Sequence, residues 1–211
     1  MCVPLAVKRA RASAPDGGLR AATFATVGVI AWIAGSCIVV GSGLMENLPY
    51  QGLPMFFGVI FGVSVWFGVS RTGGQIAANV PLAALVAFQV FRLPLELVLH
   101  SWAAQGTVPG TMTWTGQNFD VFSGCIALIA APLANRSRLV AWTANVICFA
   151  LLINVIRVAI LSSPLPVGWG LEPPLQLALH VPYALIGPVC VGGAIAGHII
   201  LTRALLRKRS A

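Results

Sequence analysis

Residues 89–123 read QVFRLPLELVLHSWAAQGTVPGTMTWTGQNFDVFS. The chain of 211 residues is 58% apolar and 9% charged, yet Arg92, Glu96, His100 and Asp120 all fall in this one stretch. Gln89, Arg92, Glu96 and His100 are spaced by three, four and four, which on a helix makes a single polar stripe. What surrounds the stripe decides the fold. Soluble domains carry about 25% charged residues, and a mean hydropathy of +0.89 leaves too little polar surface to face water. Most of the exterior must therefore face lipid. In lipid the backbone has to satisfy its own hydrogen bonds, so only helices or a closed barrel serve. The apolar runs are long and continuous rather than alternating, which selects helices.

A net charge of +8 invites a nucleic-acid partner. The basic residues sit at segment ends, however, where they set membrane orientation, so the expected partner is the bilayer and no nucleic acid. The five cysteines form no CxxC pair and four lie in apolar runs, so no disulfide framework is expected.

The expected architecture is all-α: six transmembrane helices over 22–44, 52–70, 75–100, 119–134, 139–161 and 182–205. They form one domain, 22–206, between a cytoplasmic N-terminal tail, 1–21, and a basic tail, 207–211. Twenty-three residues at ~1.5 Å each cross a ~30 Å hydrocarbon core. Ala34-Gly35-Ser36-Cys37 has the look of a lipoprotein cleavage box, but Ile38, Val39 and Val40 continue the apolar run, so the first span reads as an uncleaved anchor. Pro81 and Pro94 should bend the third span. The fourth is short and calls for tilt or a thinned bilayer. Ser70–Gly74 reads as a tight inner turn, and Glu46–Tyr50, 101–118 and 162–174 as outer loops. Gly58/Gly62 and Gly193/Gly197 have the four-residue spacing of close helix packing. That packing is expected within the monomer, with a homo-oligomer or membrane partner left open. With the N-terminus inside, eleven of the thirteen Lys and Arg fall on the cytoplasmic side and four of the five acids outside, as the positive-inside rule requires. The implied location is the bacterial cytoplasmic (inner) membrane.

A charge at bilayer centre costs roughly 2.5 to 3.5 kcal/mol on insertion scales. Arg92, Glu96 and Arg157 are therefore expected in the outer third of the membrane. Arg92 and Glu96 can pair at i,i+4, and Asp120 and Glu96 are the nearest partners for Arg157. The expected site is a polar cluster of Arg92, Glu96, His100, Asn118, Asp120, Asn154 and Arg157 at the outer mouth of the bundle. The competing explanation is that these charges only lock span to span. Asn118 and Asp120 also suit the N-cap of the fourth span. His198, with no partner visible in the sequence, reads as structural. His100 and His180 with Glu96 and Asp120 are zinc-ligand types, but no HExxH or paired-His spacing joins them; neither metal nor cofactor is expected.

Two resemblances bear on function. Ser123-Gly124-Cys125, Asn154-Val155-Ile156-Arg157 and His180 resemble, in order and depth, the Cys–Arg–His set of exosortases and archaeosortases. The resemblance implies Cys125 as nucleophile, Arg157 as charge stabiliser and His180 as base of a membrane cysteine transpeptidase. In that family the small residues follow the cysteine, whereas here they precede it. Over about 75–205, FRLPLELVLH, MTWTGQNFD, SPLP with a downstream EPP, and GHIILTRAL resemble a family of uncharacterised bacterial multi-pass membrane proteins. Its Arg-x-Pro-x-Glu-x-x-x-His pattern matches Arg92, Pro94, Glu96 and His100, and its Asn-Phe-Asp pattern matches Asn118, Phe119 and Asp120. The resemblance implies a site in this stretch and no particular chemistry. The expected function is an outward-facing pocket for a small ligand or protons, in a transporter-like or scaffold role rather than an enzyme. A cysteine transpeptidase and a structural subunit are the alternatives.

Overall fold

The computed structural model describes residues 15–48 and 51–207, with side chains from Thr23 onward. Expectations for residues 1–14, Pro49, Tyr50 and 208–211 lie outside the described residues. Among the described residues every regular element is helical. The α-helices are α1 (Pro15–Gly41), α2 (Leu44–Asn47), α3 (Gly52–Val69), α4 (Arg71–Asn79), α5 (Leu82–Ala87), α6 (Arg92–Ala104), α7 (Val121–Ala134), α8 (Arg138–Ser162) and α9 (Gly192–Leu206).

Five stretches are long and apolar enough to cross a membrane: Thr23–Gly41, Gly52–Val69, Leu82–Ala104, Arg138–Ser162 and Tyr183–Leu206. Large apolar side chains point outward all round the bundle, among them Phe24, Ile38, Met55, Trp66, Ile129 and Leu139. Such a surface is consistent with a protein embedded in a membrane. α7 differs. Its fourteen residues span ~21 Å at ~1.5 Å per residue, short of a ~30 Å core.

One end of the bundle is basic, and its local chemistry is clear. The α3 C-terminus leaves orphan carbonyls; Arg203 of α9 donates to one in that last turn, Gly68 O at 2.6 Å, and also to Ser70 O at 2.9 Å, which accepts from Gly74 N as well. Arg138 donates to Leu205 O and, at 3.0 Å, to Arg207 O, so the start of α8 ties down the end of α9. The expected turn at Ser70–Gly74 is instead the start of α4. The Ser70 hydroxyl accepts from Gly73 N at 3.2 Å, the bond that an N-cap serine supplies. Pro81 likewise does not bend the third span but starts it. It holds Val80 extended (ψ 131°), as a residue before proline must be, and α5 begins behind it.

Three segments depart from regular α geometry. Phe88–Phe91 is a 3₁₀ turn between α5 and α6. Pro94 explains it, because its ring removes the N–H that would bond Val90 O and crowds that carbonyl. Ile186–Val191 is a π-helical segment leading into α9. Residues 105–120 fold back into the bundle, burying Val108, Met112, Thr113 and Asn118 before α7 begins. Irregular backbone of this kind inside a membrane bundle is tolerated where protein covers it or where it lines a cavity.

Close helix approaches are set by small residues, though not all of the expected ones. A Cβ on Gly58 or Gly62 would meet nothing within 4 Å, so that pair does not seat a helix. α3 meets α9 at Gly68, where a Cβ would come within 2.9 Å of Ile199, and α7 meets α6 at Gly124, within 2.5 Å of Leu93 Cγ. Gly197 does lie against Phe88, as a packing glycine should. The main core is alanine-rich: Ala127, Ala130, Ala134, Ala141, Ala144 and Ala204 pack with Leu201 and Val86.

Candidate functional site

Arg92 lies ten residues past Leu82 in the 23-residue stretch Leu82–Ala104, near its midpoint. It is 1% exposed, and Glu96, Asn118, Asp120 and His198 around it are 1%, 0%, 4% and 2% exposed. A charge buried this deeply needs a counter-charge and hydrogen bonds, and the fold provides both. Arg92 Nη1 forms an ion pair with Asp120 Oδ1 and also donates to Ser123 Oγ at 3.2 Å and Cys148 O at 3.4 Å. The Ser123 hydroxyl donates to Asp120 Oδ1 at 2.7 Å.

Arg92 Nη2 is 3.2 Å from His198 Nε2. A guanidinium only donates, so Nε2 accepts and the ring proton belongs on Nδ1. That proton points at Asn145 Oδ1, 2.8 Å away. Asn145 Nδ2 donates to Thr202 Oγ1 at 2.8 Å, which donates to His198 O at 2.8 Å. α6, α7, α8 and α9 are thus joined by one chain of polar contacts. His198, whose partners the sequence does not reveal, links Arg92 to Asn145. The signal was in the sequence, because a polar side chain inside an apolar span is itself the anomaly, and His198 and Thr202 share one helix face at i,i+4.

Glu96 does not pair with Arg92 as the spacing predicts. Its Oε1 accepts from Asn118 Nδ2 at 2.7 Å, and the same amide nitrogen donates to Met112 O at 3.0 Å. Asn118 Oδ1 accepts from Asp120 N at 3.1 Å, so this asparagine pins the returning loop to α6. Asp120 stands at the N-cap position of α7 without capping it, because Arg92 and Ser123 claim its carboxylate. All four side chains of the polar stripe keep buried polar atoms with no protein partner: Glu96 Oε2, Arg92 Nε, His100 Nδ1 and both amide atoms of Gln89.

The other expected residues lie apart from this cluster. The His100 ring stacks on Trp114 with centroids 4.1 Å apart, and its Nδ1 is buried without a partner. Asn154 Nδ2 donates to Gln117 O at 2.8 Å, and exposed Arg157 donates to Asn154 Oδ1 at 2.9 Å. Arg157 therefore pairs with neither Asp120 nor Glu96, since a side-chain amide three residues away serves it instead. Cys125 is exposed on α7, one residue past Gly124, which is buried against α6. His180 is exposed, its Nδ1 3.9 Å from Glu46 Oε1. Cys125, Arg157 and His180 thus stand in three separate surroundings. Among the described residues no group of three or more His, Cys, Asp or Glu is placed to hold a metal ion.

Beside the cluster lies a cleft of about 370 Å³. Its walls are apolar, with Phe57 and Phe61 of α3, Leu152 and Ile156 of α8, and Val191 of the π segment. Arg92, Glu96 and Asp120 supply charge at one end. Along α8 the lining runs from Leu152 to Ser163, ~16 Å at ~1.5 Å per residue. Ligand sites commonly have this make-up, an apolar cavity of about 300–1,000 Å³ with a few convergent polar groups. Phe91 of the 3₁₀ turn, Val191 of the π segment and Met112 of the returning loop all line the cleft. No protein family, no curated protein and no solved structure matches this chain.

Proposed function

We propose that the chain is a multi-pass protein of the bacterial cytoplasmic membrane that binds a small lipophilic ligand in the cleft between α3, α8 and the π segment, with the Arg92–Glu96–Asp120 group at its charged end. Six membrane-inserted segments and cytoplasmic termini fit this reading, with α7 as a half-length segment entered from the returning loop. Arg71, Arg136, Arg138, Arg203 and Arg207 cluster at the ends of the helices they join, which supports placing that end in the cytoplasm. The role is that of a carrier, sensor or scaffold. The observation that carries the proposal is Glu96, a residue lining a mostly apolar cavity whose buried Oε2 has no protein partner.

The test is native mass spectrometry of protein purified in mild detergent. Wild type should retain a lipophilic molecule that Ala159→Trp, which fills the cleft, does not. Wild type free of any bound molecule would refute the proposal. The network also fastens α6 to α9, and a purely structural role predicts no difference between the two proteins.

A further inference from the structure

Resting on that reading, we infer that the ligand's head group donates a hydrogen bond and carries no negative charge, and that Glu96 receives it. Most donors among the charged residues of the cleft are engaged. Among the described residues lining it, Arg92 is the one cation, and its charge is already met by Asp120. Its Nη1 is engaged by Asp120, Ser123 and Cys148 O, and one N–H of Nη2 by His198, which leaves the N–H at Nε and the second N–H of Nη2. The Asn118 amide donates to Glu96 Oε1 and Met112 O, and the Ser123 hydroxyl donates to Asp120. Arg157 is held by Asn154 and does not line the cleft. An anionic head would meet two carboxylates, with the one cation already paired to Asp120.

What the end of the cleft offers is an acceptor. Glu96 lines the cavity, and its Oε2 is buried with no protein partner. Leaving such a group unpaired is costly in a low-dielectric interior. A hydroxyl or ammonium on an apolar chain satisfies it, while the chain fills the wall of Phe57, Phe61, Leu152 and Ile156.

The experiment uses the full chain in zwitterionic lipid nanodiscs. Three photoactivatable alkyl probes share one chain and one diazirine and differ only in the head: alcohol, primary amine or carboxylate. Cross-links are mapped by peptide mass spectrometry. In wild type the alcohol or the amine should label the peptide containing Leu152 and Ile156 at least about tenfold more than the carboxylate does, which is ~1.4 kcal/mol of discrimination. Glu96→Gln keeps shape and presents an amide donor to the cleft, so the preference should shrink or invert. A carboxylate probe that labels wild type as well as the others would overturn the inference, and so would a preference unchanged in Glu96→Gln. Either result leaves the cleft as a lipophilic site. Labelling of the cleft by none of the three heads would overturn the proposed function itself.

Discussion

Replacing Asp120 by Leu should be among the most damaging single substitutions in this chain, and removing Arg92 as well should rescue much of the loss. In Asp120→Leu, Arg92 stays buried with only neutral partners: Ser123 Oγ, Cys148 O and the Nε2 of His198. Breaking a buried pair from one side costs about 3–5 kcal/mol. Arg92→Met should cost a similar amount, because Asp120 would then keep only the Ser123 hydroxyl and no counter-charge. The double variant removes both charges and leaves neutral orphans, chiefly Ser123 and His198, at about 1 kcal/mol or more each. Independent effects would sum to roughly 6–10 kcal/mol, whereas the double should lose about 2–4. The coupling is then roughly 2–8 kcal/mol, a range that includes the ~4 kcal/mol of two unit charges ~4 Å apart at an effective dielectric of ~20. Reversible unfolding of all four proteins in mixed micelles, followed by tryptophan fluorescence, gives the cycle. Additivity within about 0.5 kcal/mol would rule out a coupled buried pair, as would a harmless Arg92→Met, which would mean that Arg92 reaches water. The same cycle on Arg92 and Glu96, the pair suggested by spacing, should give a clearly smaller coupling because Glu96 is bonded to Asn118 instead.

Gln89→Leu should raise stability by about 1 kcal/mol in the same assay, because it removes two buried amide atoms that have no partner. Gly124→Val should lower it by about 1–3 kcal/mol, since even a Cβ there would come within 2.5 Å of Leu93 Cγ and 2.9 Å of Leu93 N, forcing α7 off α6. Asn118→Leu should cost about 3 kcal/mol and raise the protease sensitivity of residues 105–120, because it unpairs Met112 O, Asp120 N and Glu96 Oε1 together. A lipid-soluble maleimide should modify exposed Cys125 in the folded protein and reach buried Cys148 only after unfolding. Mass spectrometry of the two peptides reads this, and equal rates would place both on the same footing.

The placement of the helices was largely legible. Gly52–Val69, Arg138–Ser162 and Tyr183–Leu206 occupy the stretches that composition marks as spans, because a 20-residue apolar run has one stable arrangement in lipid. The short fourth helix is also visible, since Asp120 and Asn135 bound it. The third span, however, starts at Leu82 and not at Gln75. Ser70 and Pro81 both signal a separate helix, α4, but the apolar residues on one face of α4 make it look continuous with α5.

Partners were not legible. Arg92 and Glu96 stand four apart on one helix, yet one turns to Asp120 and the other to Asn118, both brought down by a loop whose burial no local pattern announces. Gly58 and Gly62 have the spacing of a packing pair and touch nothing, whereas Gly68 and Gly124 set the close approaches. His198 lies a hundred residues from Arg92 and meets it only because α9 packs where it does. Composition and hydropathy alone determined that this chain is helical and avoids water, since both depend on how many residues of each kind there are and in what runs. Which charge meets which, how deep the cluster sits and where the cleft opens depended on which helix faces meet and at what height. Those are properties of contacts between distant segments, so only the tertiary structure decided them.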